Sequence, residues 1–396
     1  MKNIYILNGA RTPFGSFTGS LKSLTAAQLG EIASKEALLR ANVLPEEIDN
    51  VVFGNVIHSH INAAYISRHI ALNIGVPQST PALTVNRLCG SGLQAVVSAA
   101  QSIITEESEV ALTGGAENMS RSPFVNFTQR FKVKKMGSIE YEDMLTGTLT
   151  DHNCSTPMGI TAENLAEKYS ITREEQDEYA LLSQTRAETA RVNRESTPEI
   201  TAVALPARDG SKKLFTEDEH IKPNTTLEDL RRLRPAFKNQ GSVTAGNASG
   251  INDGAASIII ANEDYVHRNE KKPMSRIVSW SVAGVDPAYM GIGPAPAITK
   301  ALERAGLSLQ DIDLFEVNEA FAAQYLAVEK ELSLDREKTN VNGGAIAYGH
   351  PVGASGARIL LSLSYQLQRR NLQYGVASLC IGGGQGIAMV IENVKR

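Results

Sequence analysis

Along the chain, short runs rich in Ile, Val, Leu and Ala alternate with longer stretches whose apolar residues recur every three or four positions. The first pattern predicts strands over 4–8, 51–56, 82–85 and 110–113, and the second predicts helices over 26–41, 66–74 and 92–104. Past a polar linker at 269–273 the rhythm returns. Strands are predicted over 277–282, 314–317, 376–380 and 387–391, and helices over 297–305, 319–331 and 355–368. Strands that alternate with helices predict an α/β fold around a largely buried sheet.

The two ends read as copies of each other. ALLRANVLPEEID, starting at Ala37, aligns without gaps on ALERAGLSLQDID, starting at Ala301, an offset of 301 − 37 = 264. The same offset carries Gly90-Ser91-Gly92 onto Ala354-Ser355-Gly356. Further on, Gly114-Gly115 is matched with Gly382-Gly383 at an offset of 268, which implies a few inserted residues. An internal duplication of a βαβ-type half follows. Between the halves the composition changes, with a basic stretch at 130–135, a polar turn at 150–156 and a charged helical segment at 162–195. The expected organisation is a first core half at 1–119 completed by 244–268, an inserted loop domain at 120–243, and a second core half at 269–396.

Charge and composition exclude more than they reveal. A net charge of −4 gives no footprint for nucleic acid or an anionic membrane as partner. No apolar run approaches the roughly 20 residues that span a bilayer. The start, MKNIYILNGARTPFGSF, lacks the apolar core of a secretory leader, and IENVKR is neither a peroxisomal nor a retention signal. Three cysteines, an odd number, argue against a disulfide framework, so a reducing cytoplasm is expected.

Candidate chemistry gathers on glycine-rich turns. Cys89, in NRLCGSGLQAVVSAA, falls between a predicted strand and a predicted helix, with Gly90 and Gly92 allowing a sharp turn. A thiol at a helix N-terminus is expected to have a lowered pKa, and neighbouring peptide N–H groups are placed to form an oxyanion hole. A small cysteine that merely fills space at such a turn fits the local pattern equally well. His350 lies in VNGGAIAYGHPVGASGAR, and histidine is the usual proton acceptor for a thiol near neutral pH. Under the offset of 264, Asn86 corresponds to His350 and Cys89 to Gly353, so the two pseudo-equivalent turns are expected to meet. Cys380 opens CIGGGQG at the end of a strand, where consecutive glycines suggest a tight turn; no dinucleotide fingerprint or phosphate loop is present. Asn318 and Glu319 stand at a strand-to-helix edge, where an N-cap and a favourable first-turn charge are the plain readings. His58 and His60 lack a third ligand for a metal.

Taken together, RTPFGSF, NRLCGSGLQAV, GGAENMS, MGITAENLA, RPAF, VTAGNASGINDGAA, GIGPAPA, VNEAFAA, VNGGAIAYGHPVGASGAR and CIGGGQGIA resemble the thiolase family over essentially the whole chain. The resemblance implies a thiolase-like fold, with the duplicated halves in an α/β/α/β/α layering and the inserted loop domain over a coenzyme A site. It implies that Cys89 carries an acyl group as a thioester, that His350 accepts its proton, and that Cys380 moves the α-proton of acetyl-CoA. It gives the enolate oxygen to His350 and a water on Asn318, and the tetrahedral oxygen to the N–H groups of Cys89 and Gly382. For coenzyme A it suggests Ser249, Phe237, Met290, Met158 and Lys222. Lys222 departs from the arginine of many relatives and loses the planar fork. Pro157 departs from the histidine of short-chain biosynthetic relatives and looks like the longer-chain degradative ones. No permanently bound cofactor is implied, only coenzyme A thioesters as substrates, and a homodimer or homotetramer. The expected reaction is reversible Claisen condensation of acetyl-CoA to acetoacetyl-CoA. A broader-chain 3-ketoacyl-CoA thiolase of fatty-acid breakdown is the near alternative, and a non-catalytic acyl-CoA or lipid carrier the distant one. A decarboxylating synthase needs a second histidine where Cys380 stands.

Overall fold

Ile258 and Ile260 point to one face of the eleven-residue strand Asn252–Asn262, Ile259 and Ala261 to the other, and all four are fully buried. A strand apolar on both faces must lie between two layers of helices. The computed structural model, which describes residues 3–131, 136–207 and 210–394, shows how. Nine strands form one mixed sheet: β1 (Ile4–Arg11), β2 (Asn50–Gly54), β3 (Ala82–Val85), β4 (Val110–Asn118), β5 (Asn252–Asn262), β6 (Ser275–Gly284), β7 (Leu314–Val317), β8 (Tyr374–Ile381) and β9 (Gln385–Asn393). Their order is β7-β8-β9-β6-β1-β5-β4-β2-β3, and the short strand Gly15–Ser16 pairs with β5 as a tenth. The halves join where Ile4–Ile6 of β1 pair with Ser275–Ile277 of β6.

The inner faces of both halves enclose helices α2 (Ser91–Ile104) and α7 (Val352–Arg370). Leu93, Val96, Leu360 and Leu363 meet Ile258 and Ile260 from one side and Leu379, Ile387 and Met389 from the other. Helix α1 (Ala26–Ala41) covers the outer face of the first half through Leu29, Ala33 and Ala37. Helices α5 (Pro294–Ala305) and α6 (Ala322–Leu332) cover the outer face of the second. The result is the α/β/α/β/α layering.

The duplication is visible at the level of single hydrogen bonds. Asp49 accepts the N–H groups of Glu109 and Val110, and Asp313 accepts those of Gln373 and Tyr374, each pair 264 apart. Helix α1 ends on Asn42 at φ 51° and α5 on Gly306 at φ 68°, again 264 apart. The parallel pairings Asn50 with Ala111 and Leu314 with Gly375 keep the same offset. The offset of 268 assigned to the glycine pairs is therefore wrong, because Gly114 is the counterpart of Ser378. The two glycine pairs serve different needs. A side chain at Gly115 would sit 1.9 Å from Gly353 O, where α7 crosses the sheet, whereas Gly383, at φ 79°, turns the β8–β9 hairpin together with the following Gly384.

Within 120–243 the single charged helical segment expected at 162–195 is two helices, α3 (Met158–Lys168) and α4 (Arg173–Val192). Ser170 at φ 50° breaks the first, and Thr172 starts the second with a capping box to Glu175. Of the basic stretch at 130–135, residues 132–135 lie outside the described residues. Glu199 and Asp218 from this segment grip the buried Arg11 of β1 at 2.7 Å each. No helix of the described residues is long and apolar enough to cross a membrane.

Candidate active site

Strand β3 runs into Asn86-Arg87-Leu88-Cys89, and the sharp bend falls on Leu88, at φ 44°. Left-handed backbone costs a branched residue about 1–2 kcal/mol, so the surroundings must hold it. They do: the Leu88 N–H donates to Asn86 Oδ1 at 2.9 Å, and Ser91 Oγ donates to the Leu88 carbonyl at 2.7 Å while accepting the Arg87 N–H at 2.9 Å. Gly90 and Gly92 were expected to supply the bend. Neither has a positive φ; at Gly92 a side chain would lie 2.7 Å from Ala357 N, so this glycine lets α2 and α7 touch.

The backbone N–H groups of Gly382 and of Cys89 itself favour the thiolate. The Cys89 thiol is nonetheless pushed up to about 11, with burial first among the causes and the Glu117 charge adding to it. The expectation of a lowered pKa is thus overturned: loss of water outweighs two N–H groups and the helix end. His350 moves the other way, down to about 3, through burial and then the positive charge of Arg358. Ser355 donates its hydroxyl to Pro351 O at 3.0 Å, so at 2.6 Å from His350 Nδ1 it accepts. Nδ1 then carries the hydrogen, and Nε2 presents a lone pair. Asn318 Nδ2 stands 3.5 Å from that Nε2, while Asn318 Oδ1 is buried with no partner. Asn318 is not an N-cap, since that position before α6 is taken by Phe321. Nor is Glu319 a surface charge: it is fully buried and accepts from Tyr179, Ser183, Asn340 and the Ile346 N–H.

Cys380 is fully buried beside Met290 and Ala320, one residue before β8 ends. Burial and the nearby Cys89 hold its thiol far above the ordinary range. A cavity of about 420 Å³ opens onto Cys89 and His350, lined by Met158, Lys222, Phe237, Ser249 and Met290 among others. All five residues suggested for coenzyme A therefore share one space. Cys380, Asn318 and Gly382 stand behind its wall, Gly382 facing Met158, whose sulfur would lie 3.3 Å from a Cβ there. Phe237 and Phe321 meet edge to face, 6.1 Å between centroids, and Gly159 leaves room for the Phe237 ring. Pro157 is exposed and caps α3 without lining the cavity. Sequence reasoning missed His220, which lines the cavity and is pushed down to about 4 by burial and Lys222. It also missed Ser355 and Asn252, whose Oδ1 accepts the His350 N–H at 3.0 Å. Their polar side chains look like any others without the fold. Among the described residues no group of three or more His, Cys, Asp or Glu is arranged to hold a metal.

The resting pair is thus a neutral thiol and a neutral imidazole. Burial disfavours the thiolate, so the proton stays on sulfur up to about pH 11; burial equally disfavours imidazolium, so His350 stays unprotonated down to about pH 3. Between these limits neither group titrates in the free protein. Glu117, whose carboxyl burial pushes up to about 8, does titrate in this range, so we expect the rate constant for acylation of Cys89, followed by quench flow, to rise about tenfold from pH 6 to pH 9. A thiol with an ordinary pKa would instead give a rise of about a hundredfold or more over that range.

A thiol that can hold an acyl group as a thioester, with an imidazole to take its proton, belongs to the acyl-transferring enzymes. The N-terminal thiolase domain matches residues 4–264 and the C-terminal thiolase domain residues 271–393. The chain is 51% identical to human mitochondrial 3-ketoacyl-CoA thiolase over 393 residues, 99% of each protein. It is 46% identical to an acetyl-CoA acetyltransferase of Allochromatium vinosum, over 99% of this chain and 100% of that one. The crystal structure of the human mitochondrial enzyme in complex with CoA superposes with a TM-score of 0.96 at 50% identity, covering 100% of this chain and 98% of the other. This chain belongs to the thiolase family. It is an acyltransferase of that family.

Proposed function

We propose that the protein forms and cleaves short-chain 3-ketoacyl-CoA thioesters, acetoacetyl-CoA first among them, through an acyl group carried on Cys89. The observation that carries this reading is the apolar cavity ending on Cys89 and His350, with Cys380 buried directly behind. In the cleavage direction, His350 Nε2 takes the Cys89 proton as sulfur attacks the 3-keto carbon. The N–H groups of Cys89 and Gly382, which favour a negative charge at the sulfur, take the tetrahedral oxygen. The C2–C3 bond then breaks, leaving the acyl group on Cys89 and the enolate of acetyl-CoA. Asn318 Oδ1, lacking a partner, accepts a water that with protonated His350 donates to the enolate oxygen. Cys380 gives its proton to C2, and acetyl-CoA leaves. The Cys380 thiolate takes the proton of incoming CoA, whose sulfur displaces the acyl group, and Cys89 recovers its proton from His350. The kinetics are ping-pong.

A second reading, a preference for longer chains, draws on Met119, Leu149, Met158 and Met290, which give the cavity an apolar lining. It also draws on the name of the human relative. Steady-state rates on acetoacetyl-CoA and on a long-chain 3-ketoacyl-CoA separate the two. We expect kcat/KM on acetoacetyl-CoA to equal or exceed that on the long chain; a tenfold preference for the long chain selects the second reading. Cys89, Cys154 and Cys380 are all unpaired, which suits the reducing cytoplasm we assign to the protein. Assembly as a homodimer or homotetramer is part of the same reading, and sedimentation velocity tests it.

A further inference from the structure

We propose that Glu117 is the positioning residue that fixes the Cys89 turn against the His350 segment. Glu117 is fully buried near the C-terminal end of β4. Its Oε1 accepts the Asn55 side-chain amide and the Ile57 N–H, each at 3.1 Å. Its Oε2 accepts the N–H groups of Val56 and Gly353, each at 3.0 Å. Four N–H donors converge on the two oxygens. Only the ionised carboxylate satisfies all of them, since a protonated oxygen would face a donor; burial pushes this carboxyl up to about 8 against the pull of those N–H groups, so the full grip forms as pH rises through that value.

Two paths leave this carboxylate. Along the first, the Val56 carbonyl accepts Asn86 Nδ2 at 3.4 Å, and Asn86 Oδ1 accepts the N–H of the strained Leu88 at 2.9 Å, one residue before Cys89. Along the second, Gly353 lies three residues after His350, in the first turn of α7, where Ser355 holds Nδ1. A Cβ at Gly353 would come within 2.6 Å of Glu117 Oε2, so the contact allows no side chain. Ser355 and Asn252 act on the His350 segment alone, and Ser91 on the Cys89 turn alone. Glu117 reaches both. A left-handed Leu88 persists only while its surroundings dictate it, and the Val56 peptide anchored by Glu117 is one of the groups that do.

This inference rests on Cys89 being the acylated residue. Rapid-quench labelling with radioactive acetyl-CoA reads the amplitude and the rate constant of acylation separately. Glutamine keeps the shape of the side chain but turns an NH₂ toward N–H donors. For Glu117→Gln we expect the parent's amplitude per folded subunit, a rate constant lower by tenfold or more, and a KM for acetyl-CoA within twofold. Asn86→Ala cuts only the first path and is expected to lower the same rate constant at least threefold with amplitude kept. A Glu117→Gln protein with the parent's rate constant overturns the proposal. So does a reduced amplitude at unchanged rate, the signature of a merely structural role. Should Glu117→Gln fail to fold, Asn86→Ala decides alone, an unchanged rate constant counting against the proposal. If the parent protein itself takes no label on Cys89, it is the acyl-enzyme reading that has failed.

Discussion

Cys89→Ala is expected to abolish labelling by acetyl-CoA and to lower thiolysis of acetoacetyl-CoA by about 10⁴-fold or more, the loss typical when a covalent nucleophile is removed. The size follows from the division of work in the site. His350 Nε2, Asn318 and the N–H groups of Cys89 and Gly382 still surround the reacting carbon, but none can hold the acyl group once the enolate departs. The fold should survive, because the bend before Cys89 depends on Asn86 and Ser91 rather than on the sulfur. Intact mass after incubation with acetyl-CoA checks the first part, and a coupled assay of acetoacetyl-CoA cleavage the second. Residual labelling on the peptide containing Cys380 would reassign the nucleophile.

What the chain discloses before folding follows the reach of each interaction. The Cys89, His350 and Cys380 turns are legible because glycine-rich turns between strand and helix patterns mark places where backbone comes close to a ligand. The duplication is legible because helix and strand periods repeat in order at one offset. Strand β5 is not. Its sequence, NDGAASIIIAN, opens with residues that favour turns, and only pairing with the short strand Gly15–Ser16 on one side and β4 on the other makes its opening residues a strand. The pKa of Cys89 was misjudged for a related reason: the helix end is local and visible, whereas the burial that outweighs it comes from packing against Val56, Met119, Leu145 and Val352, distant in sequence. Glu117 and Glu319 show the limit most plainly. A glutamate after a strand reads as a surface charge, and only long-range contacts, Gly353 to Glu117 and Ile346 to Glu319, make each a buried anchor. Lys222 and Phe237 needed the resemblance as well as the fold, since nothing local separates them from other exposed side chains.

Cys380→Ser should separate the two halves of the reaction. The first half uses the Cys89 thiol, His350 Nε2 and two peptide N–H groups, and takes from Cys380 only the proton for the departing CoA sulfur; a thiolate leaves readily without it, so acetyl-CoA should still label Cys89 to the parent amplitude, at a lower rate. The second half needs a group that exchanges a proton with the α-carbon of acetyl-CoA. Burial already holds the Cys380 thiol far above its ordinary range, and a serine hydroxyl in the same apolar pocket, beside Met290 and Ala320, is a much weaker acid still. Condensation of acetyl-CoA is therefore expected to fall by 10³-fold or more, within the range that proton transfer by a positioned side chain supplies. Serine is slightly smaller, and Cys380 keeps its backbone pairing with Gly386, so the thermal midpoint should shift by only a few degrees. Solvent deuterium exchange into the methyl group of acetyl-CoA offers an independent reading. It should proceed in the parent and stop in Cys380→Ser, while the acyl-enzyme still forms. If labelling of Cys89 were abolished together with exchange, the division of labour between the two thiols would be overturned.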